Sequence, residues 1–168
     1  DRSVSRGLGD VYKRQAVYMP SAYVQPSKMA KYVEKGGGGN LTLGGRETGV
    51  RRLMTVNLLK RLESSVCSFR LTLERVLAAM NTALETIDDY RSGLATGASV
   101  ADGDLPGGFD FDPDDESGFE VGGATKILIE DMDWMSWERD IKADVDVIEV
   151  LIAMVRDIDP VSYTHLRA

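Results

Sequence analysis

Six basic side chains in one stretch are the residues of this sequence most suited to binding a ligand: Arg51, Arg52, Lys60, Arg61, Arg70 and Arg75. Residues 46–75 contain seven Lys or Arg against three Asp or Glu, whereas residues 76–160 contain five against twenty-one. Basic groups concentrated in this way can bind nucleic-acid phosphates, while the acidic half of the chain repels a polyanion. Two interpretations remain open for them, namely phosphate contact and an ordinary solvated helix face.

Two other stretches resemble ligand-binding loops but lack a residue that the chemistry needs. Gly39 to Thr48 has the glycines of a phosphate loop, but Gly45-Arg46-Glu47 stands where the motif needs Gly-Lys-Ser/Thr, which predicts a plain loop. Asp110 to Asp114 resembles the start of a calcium loop. Its sixth position is Asp115 instead of Gly and its twelfth is Val121 instead of Glu, so we interpret it as linker and predict no metal site.

The sequence also lacks the residues that nucleophilic and redox catalysis need. Cys67 is the single cysteine and His165 the single histidine, so neither a zinc site nor a Cys-His nucleophile can be built, and we predict no catalytic residue. Cys67 is expected to be a semi-buried packing residue. Trp134 and Trp137 could stack on a ligand, but their spacing of three favours core anchors.

The same composition predicts the cellular compartment of the protein. One cysteine excludes an intramolecular disulfide framework and suits a reducing cytoplasm. The sequence has no apolar run near eighteen residues and no signal peptide, so no membrane partner is predicted.

A long helix must position the basic residues. From Leu58 to Ile87, apolar residues recur every three or four positions, which is the period of an α-helix: Leu58, Leu62, Val66, Phe69, Leu73, Leu77, Met80, Leu84 and Ile87. We predict one helix over residues 46–92, with Gly93 as its C-terminal glycine. Residues 16–45 before it are predicted to form a short helix and a Gly-rich loop.

A second helix is predicted within residues 126–160, after a short extended lead-in. Its apolar line is Trp134, Trp137, Ile141, Val145, Ile148, Ile152 and Val155. Residues 93–125 carry eight acids among many glycines, which predicts a disordered acidic linker. The predicted fold is therefore mostly α, with a long helix and a second, roughly antiparallel helix joined by a disordered acidic loop.

We interpret the two ends of the sequence separately from the rest. Gly9 to Gln15 and Val161 to Ala168 resemble translated sequencing-adapter read-through of the kind found in metagenomic reading frames. Residues 1–15 and 161–168 are accordingly interpreted as adapter-like artefacts. We expect the rest to be an internal fragment of a longer protein.

Three segments together resemble a known family. Leu58 to Ser65, Phe69 to Arg75 and Asp131 to Asp146 are similar to the region between the two RecA-like lobes of bacterial Swi/Snf-like (HepA-type) superfamily II helicases. The resemblance implies an ATP-driven DNA helicase or translocase, with DNA and the two lobes as partners and with ATP and magnesium bound by the parent protein. This chain has no Walker lysine, no Asp-Glu-x-His box and no arginine-finger motif, so no cofactor is expected in the fragment itself. Lys60 and Arg61 fall within the matched segment, where they would contact phosphates or brace the lobes.

Another function class remains open beside the helicase segment. The apolar stripe from Leu58 to Ile87 could belong to a helical protein-interaction module that self-associates and has no enzymatic activity. A stand-alone enzyme is disfavoured, because the sequence outside its ends has no histidine and no catalytic motif.

Overall fold

The computed structural model describes residues 16–33, 43–101 and 126–156 and is mostly helical, as predicted. The α-helices are α1 (Ala30–Val33), α2 (Leu43–Ser64), α3 (Val66–Arg91) and α4 (Trp134–Arg156). Short 3-10 turns span Ala16–Tyr18, Pro20–Tyr23 and Ile129–Asp131, and two strands, β1 (Ser99–Ala101) and β2 (Lys126–Leu128), complete the fold. Within the described ranges, no helix is both long and apolar enough to cross a membrane. The proposed adapter-like ends, 1–15 and 161–168, lie outside the described residues, as does the calcium-like stretch Asp110–Asp114.

The helix predicted over residues 46–92 is present but is not continuous, because Ser65 divides it into α2 and α3. Ser65 has an extended backbone, with φ −165° and ψ 129°, and its side chain accepts a hydrogen bond from the Ser68 amide at 3.4 Å. A serine in this conformation caps the start of a new helix. The helical region also begins earlier than predicted, at Leu43, so the loop predicted for Gly39 to Thr48 is wrong from Leu43 onward.

α3 and α4 pack antiparallel and form the apolar centre of the molecule. Arg91 near the end of α3 lies 3.4 Å from Glu138 near the start of α4, and Arg156 at the end of α4 lies 3.5 Å from Glu74 near the start of α3. The predicted apolar line of α4 is confirmed, since five of its seven residues are buried: Trp137, Ile141, Ile148, Ile152 and Val155.

The apolar line predicted for the first helix is confirmed in α3 and at Leu58 of α2, but not at Leu62. Phe69, Leu73, Met80 and Ile87 are buried, whereas Leu62 is 43% exposed. The buried apolar residues of α2 are Val50, Met54 and Leu58. Each step of four residues turns a helix by about 40°, so Leu62 has rotated about 120° away from Val50 and leaves the buried face.

A glycine-centred motif ends α3 and leads into the small sheet. Gly93 has φ 72°, as expected of a C-terminal glycine, and the Leu94 amide donates to the Asp89 carbonyl at 3.0 Å. β1 then pairs antiparallel with β2, with Ser99 opposite Leu128. β2 occupies the predicted extended lead-in. Residues 93–101 of the predicted disordered linker therefore contain a defined turn and strand, and residues 102–125 lie outside the described residues.

Residues 16–33, here called the N-terminal segment, pack across α2 and the start of α4. Val24 forms a β-bridge with Met132, and flanking bonds run from the Gln25 amide to the Asp131 carbonyl and from the Asp133 amide to the Tyr23 carbonyl. Tyr18, Val24 and Tyr32 are buried there. The predicted short helix exists only as α1, after a turn at residues 26–29.

Candidate nucleic-acid interface

Four of the five basic residues of α2, namely Arg51, Arg52, Lys60 and Arg61, point to more than one side of the helix. Successive residues of an α-helix are about 100° apart, so Arg51 lies about 100° from Arg52, and Arg61 lies about 180° from it. Arg51 is half-buried, with Nη1 3.2 Å from the Met19 sulfur, and Arg61 is also half-buried. Neither shares a direction with Arg52.

Among Arg51, Arg52, Lys60 and Arg61, the two that lie on the exposed side of α2 are Arg52 and Lys60. Both are exposed, and they lie about 80° and about 12 Å apart along the helix. Val56 and Leu59 are exposed between them, and Glu63 is exposed one turn further on. We call this surface, made of Arg52, Val56, Leu59, Lys60 and Glu63, the outer face of α2. It combines positive charge with apolar contact area.

The two arginines of α3 lie on different faces of that helix. The Arg70 guanidinium lies 3.9 Å from the Glu74 carboxylate, and its buried Nε has no hydrogen-bond partner within the described structure. Arg75 is exposed and lies about 140° further round the helix from Arg70. The six predicted residues thus belong to several surfaces, and Arg52 and Lys60 are the two exposed cations of the outer face of α2.

A second exposed surface runs along α4, opposite its buried face. Ala143, Val147, Val150 and Met154 follow one another at steps of four, three and four, which is the spacing of a coiled-coil seam. Val150 is 57% exposed and Met154 62% exposed. We call these four residues the α4 seam. Sequence analysis missed the α4 seam because the apolar line on the opposite side of the helix, which faces α3, gives the stronger periodic signal.

Glu47 is a buried carboxylate that sequence analysis did not identify. It is 0% exposed and accepts hydrogen bonds from the Ser21 amide, at 2.8 Å, and from the Ser21 hydroxyl. It falls on the same helical face as Val50, Met54 and Leu58, and a charged residue on that apolar line is the sequence feature that could have revealed it. Both its bonds tie the N-terminal segment to α2.

Asp131 is the second buried carboxylate and ties the N-terminal segment to the start of α4. It accepts hydrogen bonds from the Lys31 ammonium, at 2.6 Å, and from the Tyr32 hydroxyl, and Lys28 lies 3.8 Å away. The bonds from Lys31 and Tyr32 hold the pKa of Asp131 below its ordinary value. The Tyr32 hydroxyl in turn accepts from the Leu128 amide at 3.1 Å. No periodicity marks these residues, so the sequence alone does not pair them.

Two further polar contacts reach α4 from the N-terminal segment. The Tyr23 hydroxyl donates to Asp140 at 2.8 Å, and the Ala16 amide donates to Asp144 at 2.8 Å. Burial, followed by the bond to Asp140, raises the pKa of Tyr23. These acids are therefore structural partners, and no group of three or more potential metal ligands occurs within the residues that the structure describes.

The tryptophans and the cysteine take structural positions. Trp137 is buried and its indole N–H donates to the Ala16 carbonyl at 2.9 Å, which confirms it as a core anchor. Trp134 is half-buried, with its ring edge-on to Tyr90 at 6.3 Å between centroids. Cys67 is exposed, which corrects the prediction of a semi-buried residue, because its position in the first turn of α3 points away from the buried line through Phe69.

Comparison of the chain with protein-family models, curated proteins and solved structures found no match.

Proposed function

We propose that this chain is the helical region between the two RecA-like lobes of an ATP-dependent DNA helicase or translocase of the Swi/Snf-like type. The resemblance of Leu58 to Ser65, Phe69 to Arg75 and Asp131 to Asp146 to that family carries the proposal. The first segment ends at Ser65, the second lies in α3, and the third covers the start of α4. In the antiparallel pair these sites lie at opposite ends of α3, whose 26 residues span about 39 Å. A rigid pair of that length suits a spacer between two lobes.

In this proposal the chain contributes positioning and DNA contact, and the lobes contribute the chemistry. ATP and magnesium would bind to lobe motifs that this sequence does not contain. Arg52 and Lys60 on the outer face of α2 would contact the DNA backbone. Such contact depends on charge and not on base sequence.

The complete reading frame gives the most direct test of the family. We expect a Gly-Lys-Thr/Ser phosphate loop and an Asp-Glu box upstream and a second RecA-like lobe downstream. A complete frame without these motifs would overturn the proposal.

The DNA contact is tested separately by charge reversal. Replacing Arg52 and Lys60 together with Glu should weaken binding of a labelled DNA duplex, measured by fluorescence anisotropy. The slope of log affinity against log salt should become shallower by about one to two, since each phosphate contact releases about 0.9 counterion. A matched control reverses the exposed residues Lys126 and Arg139, which lie outside α2. Equal losses from both double variants would mean that overall charge, and not the outer face of α2, governs binding.

A second candidate function is a self-associating helical interaction module without enzymatic activity. The exposed α4 seam favours it, because contiguous apolar spacing on a helix surface is typical of a contact face. Sedimentation of the chain over a range of concentrations distinguishes the two candidates. The module should show a concentration-dependent mass, whereas a helicase segment without self-association should keep the mass of one chain.

A further inference from the structure

The N-terminal segment has little structure of its own and is attached to the rest of the molecule as a bound peptide would be. Its helix α1 has four residues, too few to be stable alone. Its backbone hydrogen bonds outside the helical turns join residues three positions apart, for example the Met19 amide to the Ala16 carbonyl. The segment therefore depends on the surface beneath it to bury Tyr18, Val24 and Tyr32.

The middle of the segment binds that surface through its main chain. Val24 forms an antiparallel bridge with Met132, the Gln25 amide donates to the Asp131 carbonyl at 2.9 Å, and the Asp133 amide donates to the Tyr23 carbonyl at 2.8 Å. Peptides that add a strand to a protein bind in this way, because main-chain bonds supply affinity while the side chains between them supply specificity.

Carboxylates on the surface recognise donor groups of the segment. There are three such contacts: Glu47 accepts from the Ser21 amide and hydroxyl, Asp140 accepts from the Tyr23 hydroxyl, and Asp131 accepts from the Lys31 ammonium and the Tyr32 hydroxyl. Glu47 is 0% exposed and Asp131 is 3% exposed. A peptide without matching donors would bury these acceptors unpaired, which is unfavourable, so the surface selects its ligand by chemistry.

We infer that this surface, made of Glu47, Asp131, Met132 and Asp140 and here called the segment-binding surface, is a peptide-binding site that the N-terminal segment occupies in cis. Its ligand in trans is an extended peptide with tyrosine anchors and with serine-hydroxyl and lysine-ammonium donors. The inference goes beyond the proposed function, because it requires neither DNA nor the lobes. Covalent attachment gives the segment an effective concentration on the order of millimolar at this surface. A free peptide therefore binds only when the attached segment leaves.

Weakening the attached segment tests the inference in the full chain. The probe is a fluorescein-labelled, acetylated peptide of residues 16–33, and fluorescence anisotropy measures its affinity. Val24→Asp places a charge at a buried position of the segment and leaves the segment-binding surface intact. The Val24→Asp chain should bind the peptide at least about tenfold more tightly than wild type, because the attached segment no longer competes.

A milder variant keeps the test decisive if Val24→Asp loses helix content by circular dichroism. Lys31→Glu, at a half-exposed side chain, removes the bond to Asp131 and opposes two carboxylates. It should tighten peptide binding by about threefold or more. Arg52→Glu is the matched control, since it makes the same change of charge about 140° round α2 from Glu47. It should bind the peptide as weakly as wild type.

Variant peptides test whether the observed contacts are the ones used in trans. A peptide of the same composition in scrambled order should bind the Val24→Asp chain at least about tenfold more weakly than the native order. Tyr32→Phe in the peptide should weaken binding by about fivefold, because its hydroxyl bonds Asp131 and the Leu128 amide. Tyr18→Phe should not weaken it, since the Tyr18 hydroxyl has no hydrogen-bond partner within the described structure.

Three results would each overturn the inference. The first is equal affinity of wild type, Val24→Asp and Lys31→Glu for the peptide. The second is equal binding of the native and scrambled peptides, which would show attraction of a basic peptide to an acidic chain. The third is undiminished binding when Asp131→Asn is added to Val24→Asp, which would place the peptide elsewhere. DNA binding enters none of these measurements, so failure here leaves the proposed function standing.

Discussion

The α3–α4 pair and the N-terminal segment are both buried, but different interactions attach them to the rest of the molecule. Between α3 and α4 the contacts are apolar side chains along the whole length, with ion pairs at the two ends. The N-terminal segment also buries apolar groups, but hydrogen bonds from Glu47 and Asp131 fix it in place. Apolar packing tolerates small shifts, whereas a buried carboxylate needs its donors in position. The comparison therefore predicts different sensitivities to mutation.

The largest expected effect is the loss of apolar volume between α3 and α4. Ile141 is fully buried, and Ile141→Ala should lower the free energy of unfolding by about 2–5 kcal/mol, because it removes buried methyl groups and leaves a cavity. Val147→Ala, on the exposed side of α4, should change it by less than about 0.5 kcal/mol. Urea denaturation measures both. Similar losses at the two positions would contradict the assignment of the buried face.

The next effect concerns the contact between Glu47 and Ser21. Glu47→Ala should cost about 1.5–3 kcal/mol, because two hydrogen bonds to a charged group are lost and buried donors remain without a partner. Glu63→Ala, at an exposed position of the same helix, is the control and should cost less than about 0.5 kcal/mol. Chemical denaturation monitored by circular dichroism compares them. A Glu47→Ala chain as stable as the control would show that apolar packing alone holds this region.

The contribution of Asp131 to the stability of the fold should depend on pH. Asp131→Asn should lower stability at neutral pH by about 1–2 kcal/mol, since Asn keeps an acceptor but loses the charge that Lys31 and Tyr32 bind. The folded pKa of Asp131 lies below its ordinary value, so its stabilising effect is complete above about pH 4 and is lost as pH falls through the folded pKa.

Unfolding free energies of wild type and Asp131→Asn, measured from neutral to acidic pH, should therefore converge on acidification. Asp89→Asn, at an exposed site near the end of α3, controls for the general effect of removing a charge. A gap between wild type and Asp131→Asn that persists into strong acid would mean that the ionised carboxylate is not the stabilising species.

The smallest effect uses two buried tyrosines of the N-terminal segment. The Tyr32 hydroxyl bonds both Asp131 and the Leu128 amide, whereas the Tyr18 hydroxyl has no hydrogen-bond partner within the described structure. Tyr32→Phe should cost about 1 kcal/mol, and Tyr18→Phe should be neutral or slightly stabilising, because an unbonded buried hydroxyl is itself a cost. Burial also raises the pKa of Tyr18. Thermal denaturation of the two variants should rank them in this order, and the reverse order would contradict the bonding described for Tyr32.

Sequence periodicity predicted the apolar contacts between α3 and α4 but not the polar contacts of the N-terminal segment. The line from Trp137 to Val155 and the end of α3 at Gly93 follow from local rules of spacing and capping. The bond between Tyr32 and Asp131 joins residues 99 positions apart, and no local rule relates them. Ser65 escaped prediction for a different reason, because no Gly or Pro marks the boundary and the apolar spacing continues through it from Leu62 to Val66 and Phe69.

The candidate site shows the same division. Composition located the basic stretch, but which cations share a face depends on where each helix turns its buried side. Arg51 and Arg52 are neighbours in sequence, yet the first is half-buried beside Met19 and the second is exposed. The α4 seam could have been found by searching each helix for a second apolar line.

The cap at Ser65 also sets the boundary between segments that are expected to unfold locally as separate units. Helix formation is cooperative because each residue that joins an existing helix adds one hydrogen bond to the carbonyl four residues earlier. The extended backbone of Ser65 interrupts this series of bonds. Fraying that begins at Leu43 therefore has a boundary at Ser65, beyond which α3 keeps its contacts with α4. Amide hydrogens of α2 should exchange with solvent as one group and faster than those of the middle of α3. We therefore expect α2 to open in smaller fluctuations than global unfolding, and the middle of α3 to open only when the whole molecule unfolds.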